Sequence, residues 1–259
     1  MKVYTMCLQK GGVGKTSLAV GLAGELAKEA GGVVIIDADP QGNSSGWLCR
    51  GGSVDIELAD LLFDIAEGKT PDVKAAAVKT ELPGLSIIPT KGLDGRLRLF
   101  AETLAAGKPN VIKNLVRGLA AAGFRYAIID TSPAHGPLEK ACLLATTQAI
   151  TPTLGDIFSP DGLQIFGELL KQLRADYETH YPEYRRIVLN AYDKRIPKHE
   201  SVLNDIKTAA PDAGIYCIPV DQVFRKAQEA QLTIQSLTGA KEQTLAELRR
   251  LAVDLIQEE

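Results

Sequence analysis

Short, nearly unbroken apolar runs alternate along this chain with longer stretches in which apolar residues recur every three or four positions. The first kind predicts strands at Val3–Leu8, Val33–Asp37, Leu85–Pro89, Tyr126–Asp130, Ala149–Pro152, Ile187–Ala191 and Ile215–Ile218. The second predicts helices at Lys15–Ala30, Ile56–Ala66, Leu93–Ala105, Val111–Ala122, Leu138–Ala145, Asp161–Tyr177, Ser201–Ala210, Gln222–Ala230 and Lys241–Gln257. Runs such as "VVIID" and "YAIID" offer no polar face, so their strands must be covered on both sides. The expected fold is therefore α/β and doubly wound, a mainly parallel sheet with helices on both faces and right-handed crossovers. The breaks "EGKTPD" and "AGKPN" read as loops too short to be domain linkers, and a single domain over residues 1–259 is expected.

Composition narrows this little. Apolar residues make up 45% and charged residues 24%, ordinary values for a globular chain long enough to bury a core without staples. A net charge of −3 gives no global sign of nucleic-acid binding. The four cysteines form no C-x-x-C pair, and three sit in apolar runs, as reduced core cysteines do. No apolar run approaches the ~18–20 residues of a membrane span, and the opening "KVYTMCL" reads as a strand rather than a signal peptide. A cytoplasmic location is expected.

The stretch "LQKGGVGKTS" carries the chemistry. It ends as a phosphate-binding loop should, in Gly14-Lys15-Thr16, but Gln9 stands where the pattern G-x-x-x-x-G-K-[ST] wants its first glycine, and Lys10 follows. Backbone N–H groups over Gly11, Gly12, Val13, Gly14, Lys15, Thr16 and Ser17, with the next helix N-terminus, suit a phosphate cradle. Lys15 supplies a point charge and Thr16 a hydroxyl for Mg²⁺. Two strands end in acid: "VVIIDADPQGNSS" at Asp37, with Asp39 two residues on, and "YAIIDTSPAHGP" at Asp130. In an open parallel sheet, ligands bind beyond the carboxyl ends of the strands. Asp130 is placed to hold Mg²⁺ through water, Asp37 to share that task, and Asp39 to orient an attacking water. ATP and Mg²⁺ are the expected cofactors.

"KGGVGKTS" resembles the deviant Walker A motif K-G-G-x-G-K-[ST]-[ST] of ParA/MinD ATPases, and "IIDADPQGNSS" resembles the ParA/Soj second motif D-x-D-P-Q-x-N. The similarity continues through "TPTLGDIFSPDGLQIF", "VLNAYDKR" and "IPVDQVFRKAQEAQLTI". "DTSPAHG" departs from the usual D-T-P-P-S-x-G, and Val220 stands where the family often has arginine. The resemblance implies that Lys10 is a signature lysine, reaching the phosphates of a second subunit in an ATP-dependent homodimer, so that Lys10, Lys15 and Asp39 are the catalytic residues. It implies adenine contacts from Asn190 and from Pro219, Val220 and Asp221. It further implies slow hydrolysis stimulated by a ParB-like partner, nonspecific DNA binding through Arg195 and Arg225, and a nucleoid-associated role in positioning DNA or protein cargo. The competing expectations are a membrane-associated ATPase like MinD, disfavoured by the acidic ending "LAVDLIQEE", and a metabolic ATP-dependent enzyme, disfavoured by "DADPQGN".

Overall fold

A computed structural model of the chain describes every residue except 8–10, 52–53, 93–94, 135, 156–159, 178–182 and 258–259. The strands are β1 (Lys2–Met6), β2 (Val33–Ala38), β3 (Val78–Lys79), β4 (Leu85–Ile88), β5 (Tyr126–Thr131), β6 (Gln148–Leu154), β7 (Glu183–Tyr192) and β8 (Gly214–Pro219). The helices are α1 (Lys15–Glu29), α2 (Asn43–Leu48), α3 (Leu58–Ala66), α4 (Val73–Ala76), α5 (Arg96–Thr103), α6 (Val111–Ala121), α7 (Pro137–Ala145), α8 (Pro160–Tyr177), α9 (Pro197–Ala209), α10 (Val223–Ala230) and α11 (Glu242–Gln257).

They build one sheet in the order β3-β4-β2-β5-β1-β6-β7-β8. Every pairing is parallel except β3 with β4. The alternation of side chains along β2 shows why the chain chose this form. Val33 and Ile35 join a core with Leu18, Leu22 and Leu26 of α1 and Leu248 and Leu251 of α11. Val34 and Ile36 join a second core with Leu61 and Leu62 of α3, Phe100 of α5 and Leu115 of α6. A strand whose neighbouring residues all need burial can satisfy them only between two layers.

Three short elements lie outside the periodic pattern: α2, α4 and the edge strand β3. The expected helix from Ser201 begins four residues earlier, at Pro197, because proline is compatible with a first helical turn whose N–H groups lack intrahelical partners. The expected helices from Ile56 and Leu93 begin instead at Leu58 and Arg96, and Leu93 itself lies outside the described residues. β7 runs well beyond the expected Ile187–Ala191.

β1 lies inside the sheet, flanked by β5 and β6. The chain crosses to β2 on one side and later returns to β6, β7 and β8 on the other. The loop leaving β1 thus sits where strand order reverses, the place where parallel sheets open a crevice for ligands.

Candidate nucleotide site

The loop between β1 and α1 is bent by glycine. Gly12 and Gly14 have φ of 77° and 86°, the left-handed region that side chains disfavour. A Cβ on Gly14 would also stand 2.4 Å from Nδ2 of Asn190. That amide donates a 3.0 Å hydrogen bond to the carbonyl of Val13, so the end of β7 is tied to the loop. Gly11 and Gly12 are exposed, Val13 is buried, and Thr16 and Ser17 are half-buried. Lys10 lies outside the described residues.

Lys15 opens α1 and is buried. Burial pushes its ammonium pKa down, while Asp130 and Asp39 pull it back up, which brings these three charges into one field. Asp37 and Asp130 stand opposite each other in register on β2 and β5, both fully buried. Their surroundings differ. Asp37 Oδ2 accepts hydrogen bonds from the Ser45 N–H at 2.8 Å and the Ser45 hydroxyl at 2.5 Å, and Oδ1 accepts from the Asp39 N–H at 3.4 Å. Burial raises its pKa to about 6 despite those donors, with the Asp39 charge adding to the rise. Asp130 receives no hydrogen bond on either oxygen from the described residues. Burial and then the Asp37 charge raise its pKa to about 7, and the Thr16 and Ser44 hydroxyls lie near enough to temper the rise without well-formed hydrogen bonds.

Asp39 lies just beyond the strand end, nearly buried, where its Oδ1 accepts from the Gln41 N–H at 2.9 Å. Ser45 and Thr90 complete the support. The Thr90 N–H donates to the Ser45 hydroxyl at 2.8 Å, and its own hydroxyl donates to the Asp37 carbonyl at 2.6 Å. None of Ser44, Ser45 and Thr90 was singled out by periodicity or by a phosphate-loop pattern. The available signal was the serine pair directly after Asn43 in the acidic segment.

No cluster of three His, Cys, Asp or Glu side chains able to chelate a metal exists among the described residues. Two carboxylates, one of them lacking donors, with hydroxyls nearby, instead suit a hard cation that keeps part of its water and borrows phosphate oxygens.

Further along the edge, a groove of about 690 Å³ is lined by residues including Tyr192, Arg195, Pro219, Val220 and Lys241. Val220 is exposed there. Asp221 is turned inward: its oxygens accept from the N–H groups of Val223 and Lys241 and from the Thr244 hydroxyl, at 2.8–3.0 Å. Arg195 is held by Asp193 through a bidentate pair, with Nε at 3.0 Å and Nη2 at 2.7 Å. Arg225 is paired with Glu229 at 3.0 Å. Each arginine is thus paired with an acid close to it in sequence.

A family model described as an AAA domain matches residues 1–181. The chromosome partitioning protein ParA of Caulobacter vibrioides is 32% identical over 209 residues, covering 80% of this chain and 76% of that protein. The chain belongs to the ParA/MinD family of P-loop ATPases. Its fold is shared more widely. McdA of Cyanothece, solved as an ATP complex of an aspartate-to-alanine variant, superposes with a TM-score of 0.81 at 21% identity, over 99% of this chain and 96% of that one. Cobyrinic acid a,c-diamide synthase from Mycobacterium smegmatis, solved with an ATP analogue and magnesium, gives 0.76 at 22%, over 100% and 95%. At 21–22% identity this likeness shows the shared fold alone. Among the described residues of this chain no helix is long and apolar enough to cross a membrane.

Proposed function

We propose that this chain is a ParA-type positioning ATPase that binds ATP with Mg²⁺ beyond the carboxyl ends of β1, β2 and β5. The observation that carries the reading is the buried Asp37–Asp130 pair beside Lys15, with Asp130 lacking donors from the described residues. A buried carboxylate without donors is costly unless a cation neutralises it. Phosphates would lie on the N–H groups of residues 11–17, with Lys15 on the terminal phosphate. Mg²⁺ would be held by Thr16 and, through water, by Asp130 and Asp37, where it offsets charge on the phosphoryl oxygens. Asp39 would orient the attacking water. Lys10 would reach across an ATP-dependent homodimer to the partner's phosphates, as a cation supplied in trans. Pro219, Val220 and the backbone at Asp221 would border adenine, and Asn190 would act on the site by holding the loop.

The partitioning relatives support a cycle in which the ATP dimer binds DNA nonspecifically and a ParB-like partner stimulates hydrolysis. Phosphate release from the purified chain tests the enzymatic step. Slow turnover that Lys15→Ala abolishes is expected, whereas fast turnover without any partner would favour a biosynthetic enzyme.

A further inference from the structure

We infer that Ser44 belongs to the magnesium shell, its hydroxyl accepting a hydrogen bond from a metal-bound water between α2 and Asp130. The inference rests on the ATP–Mg²⁺ reading above and assigns a residue that neither the phosphate loop nor the acidic strand ends contain.

Adjacent serines at the start of α2 do different things. Ser45 is fully used, donating to Asp37 and accepting from the Thr90 N–H. Ser44 is more deeply buried than Ser45, yet its Oγ makes no well-formed hydrogen bond among the described residues. Both oxygens of Asp130 share that condition. The Ser44 hydroxyl lies within reach of both the Asp130 and Asp37 carboxylates, near enough to lower their pKa, but not in the geometry of a well-formed hydrogen bond to either. Buried polar atoms without partners are rare because each forfeits its hydration. Here three of them, on two elements, converge beside Thr16, the residue after Lys15.

A hydrated divalent cation resolves all three deficits. Its bound waters are strong donors, and they can give hydrogen bonds to a carboxylate and a hydroxyl at once. Asp37, already engaged by Ser45, needs such a cation less than Asp130 does. The pair of serines thus divides the work: Ser45 fixes a carboxylate, and Ser44 completes the water shell.

The test is titration of Mn²⁺, followed by its paramagnetic resonance signal, into chain saturated with a nonhydrolysable ATP analogue. Ser44→Ala should weaken Mn²⁺ binding about tenfold, the lower end for loss of an outer-shell partner. Asp130→Asn should weaken it more. Metal-free analogue binding should equal that of the original chain, and metal-free Ser44→Ala should melt no lower. Unchanged Mn²⁺ affinity in Ser44→Ala would overturn the inference, as would a melting temperature lowered by several degrees, which would mark a structural hydroxyl. Failure of the unsubstituted chain to bind the analogue with or without metal would overturn the ATP reading itself.

Discussion

The amide of Asn190, at the end of β7, donates to the carbonyl of Val13 in the phosphate loop at 3.0 Å, and so ties the sheet's far half to the candidate catalytic loop. Removing that donor leaves the loop backbone less constrained. Asn190→Ala should weaken ATP binding by about tenfold, the equivalent of one hydrogen bond of ~1.4 kcal/mol. Gly14→Ala should be far worse, since it meets both a φ of 86° and the Asn190 amide at 2.4 Å. Gly11→Ala, with nothing within 4 Å of the added carbon, should be mild. Isothermal titration with ATP ranks the three.

Binding and turnover should separate. Lys15→Ala should abolish ATP binding, because the phosphates lose a buried counter-charge. Asp39→Ala should retain ATP and Mg²⁺ but stop hydrolysis. Normal phosphate release from Asp39→Ala would remove that residue from the water-orienting role.

The acidic pair sets a pH dependence. In the metal-free chain the pKa values of Asp37 and Asp130 are raised to about 6 and about 7, above the unfolded carboxylate value. Between the unfolded and folded pKa the native state binds more protons than the unfolded state does. The pair's contribution to metal-free stability should therefore be greatest below the unfolded carboxylate pKa of about 4, fall as pH rises from there through 6–7, and level off above. Mg²⁺ with ATP should cancel the fall, and its affinity should grow over the same window as protons leave. Melting curves at pH 5, 6, 7 and 8, with and without Mg·ATP, check both signs.

Much of this was legible in the sequence, for definite reasons. Continuous runs at Val33–Asp37 and Tyr126–Asp130 have no polar face, so two-sided burial and a parallel sheet follow. Each also ends in acid, so the candidate site could be read from strand ends. The segment Asn43–Leu48 could not be read as a helix. It is short and Gly/Ser-rich, and its shape is set by distant contacts: Trp47 Nε1 donates to the Leu232 carbonyl at 2.7 Å, and a Cβ on Gly42 would come within 2.7 Å of the Thr90 carbonyl. For the same reason Ser45 and Thr90 emerged only in three dimensions. The local pairing of Arg195 with Asp193 was legible in principle, as charges two residues apart, but whether they meet depends on the turn after β7.

Those pairings bear on DNA. Arg195 and Arg225 must release Asp193 and Glu229 to reach phosphate, at modest cost for exposed pairs. With ATP, arbitrary duplex DNA should bind with a log–log salt slope of about −0.9 per phosphate contact. Arg195→Glu or Arg225→Glu should weaken binding equally across sequences without changing turnover. ATP-dependent pelleting with anionic vesicles and no DNA shift would instead support a membrane-associated role.

The open edge of the sheet is guarded from α11. Arg250 donates to the Ile215 carbonyl at 2.8 Å, and Glu247 accepts from the Cys217 N–H at 3.1 Å while pairing with Arg250 at 2.7 Å. Such capping keeps β8 from pairing with other chains. Glu247→Ala with Arg250→Ala should raise aggregation on heating, seen by light scattering, with ATP affinity unchanged.

The central claim is that ATP joins two copies of this chain through Lys10. Light scattering on Asp39→Ala reads it directly, because stalled hydrolysis holds the ATP state. With Mg·ATP the mass should double, with Mg·ADP it should be that of one chain, and Lys10→Ala in the same background should stay single with either nucleotide. One mass across all nucleotide states, or a dimer indifferent to Lys10, would contradict the account.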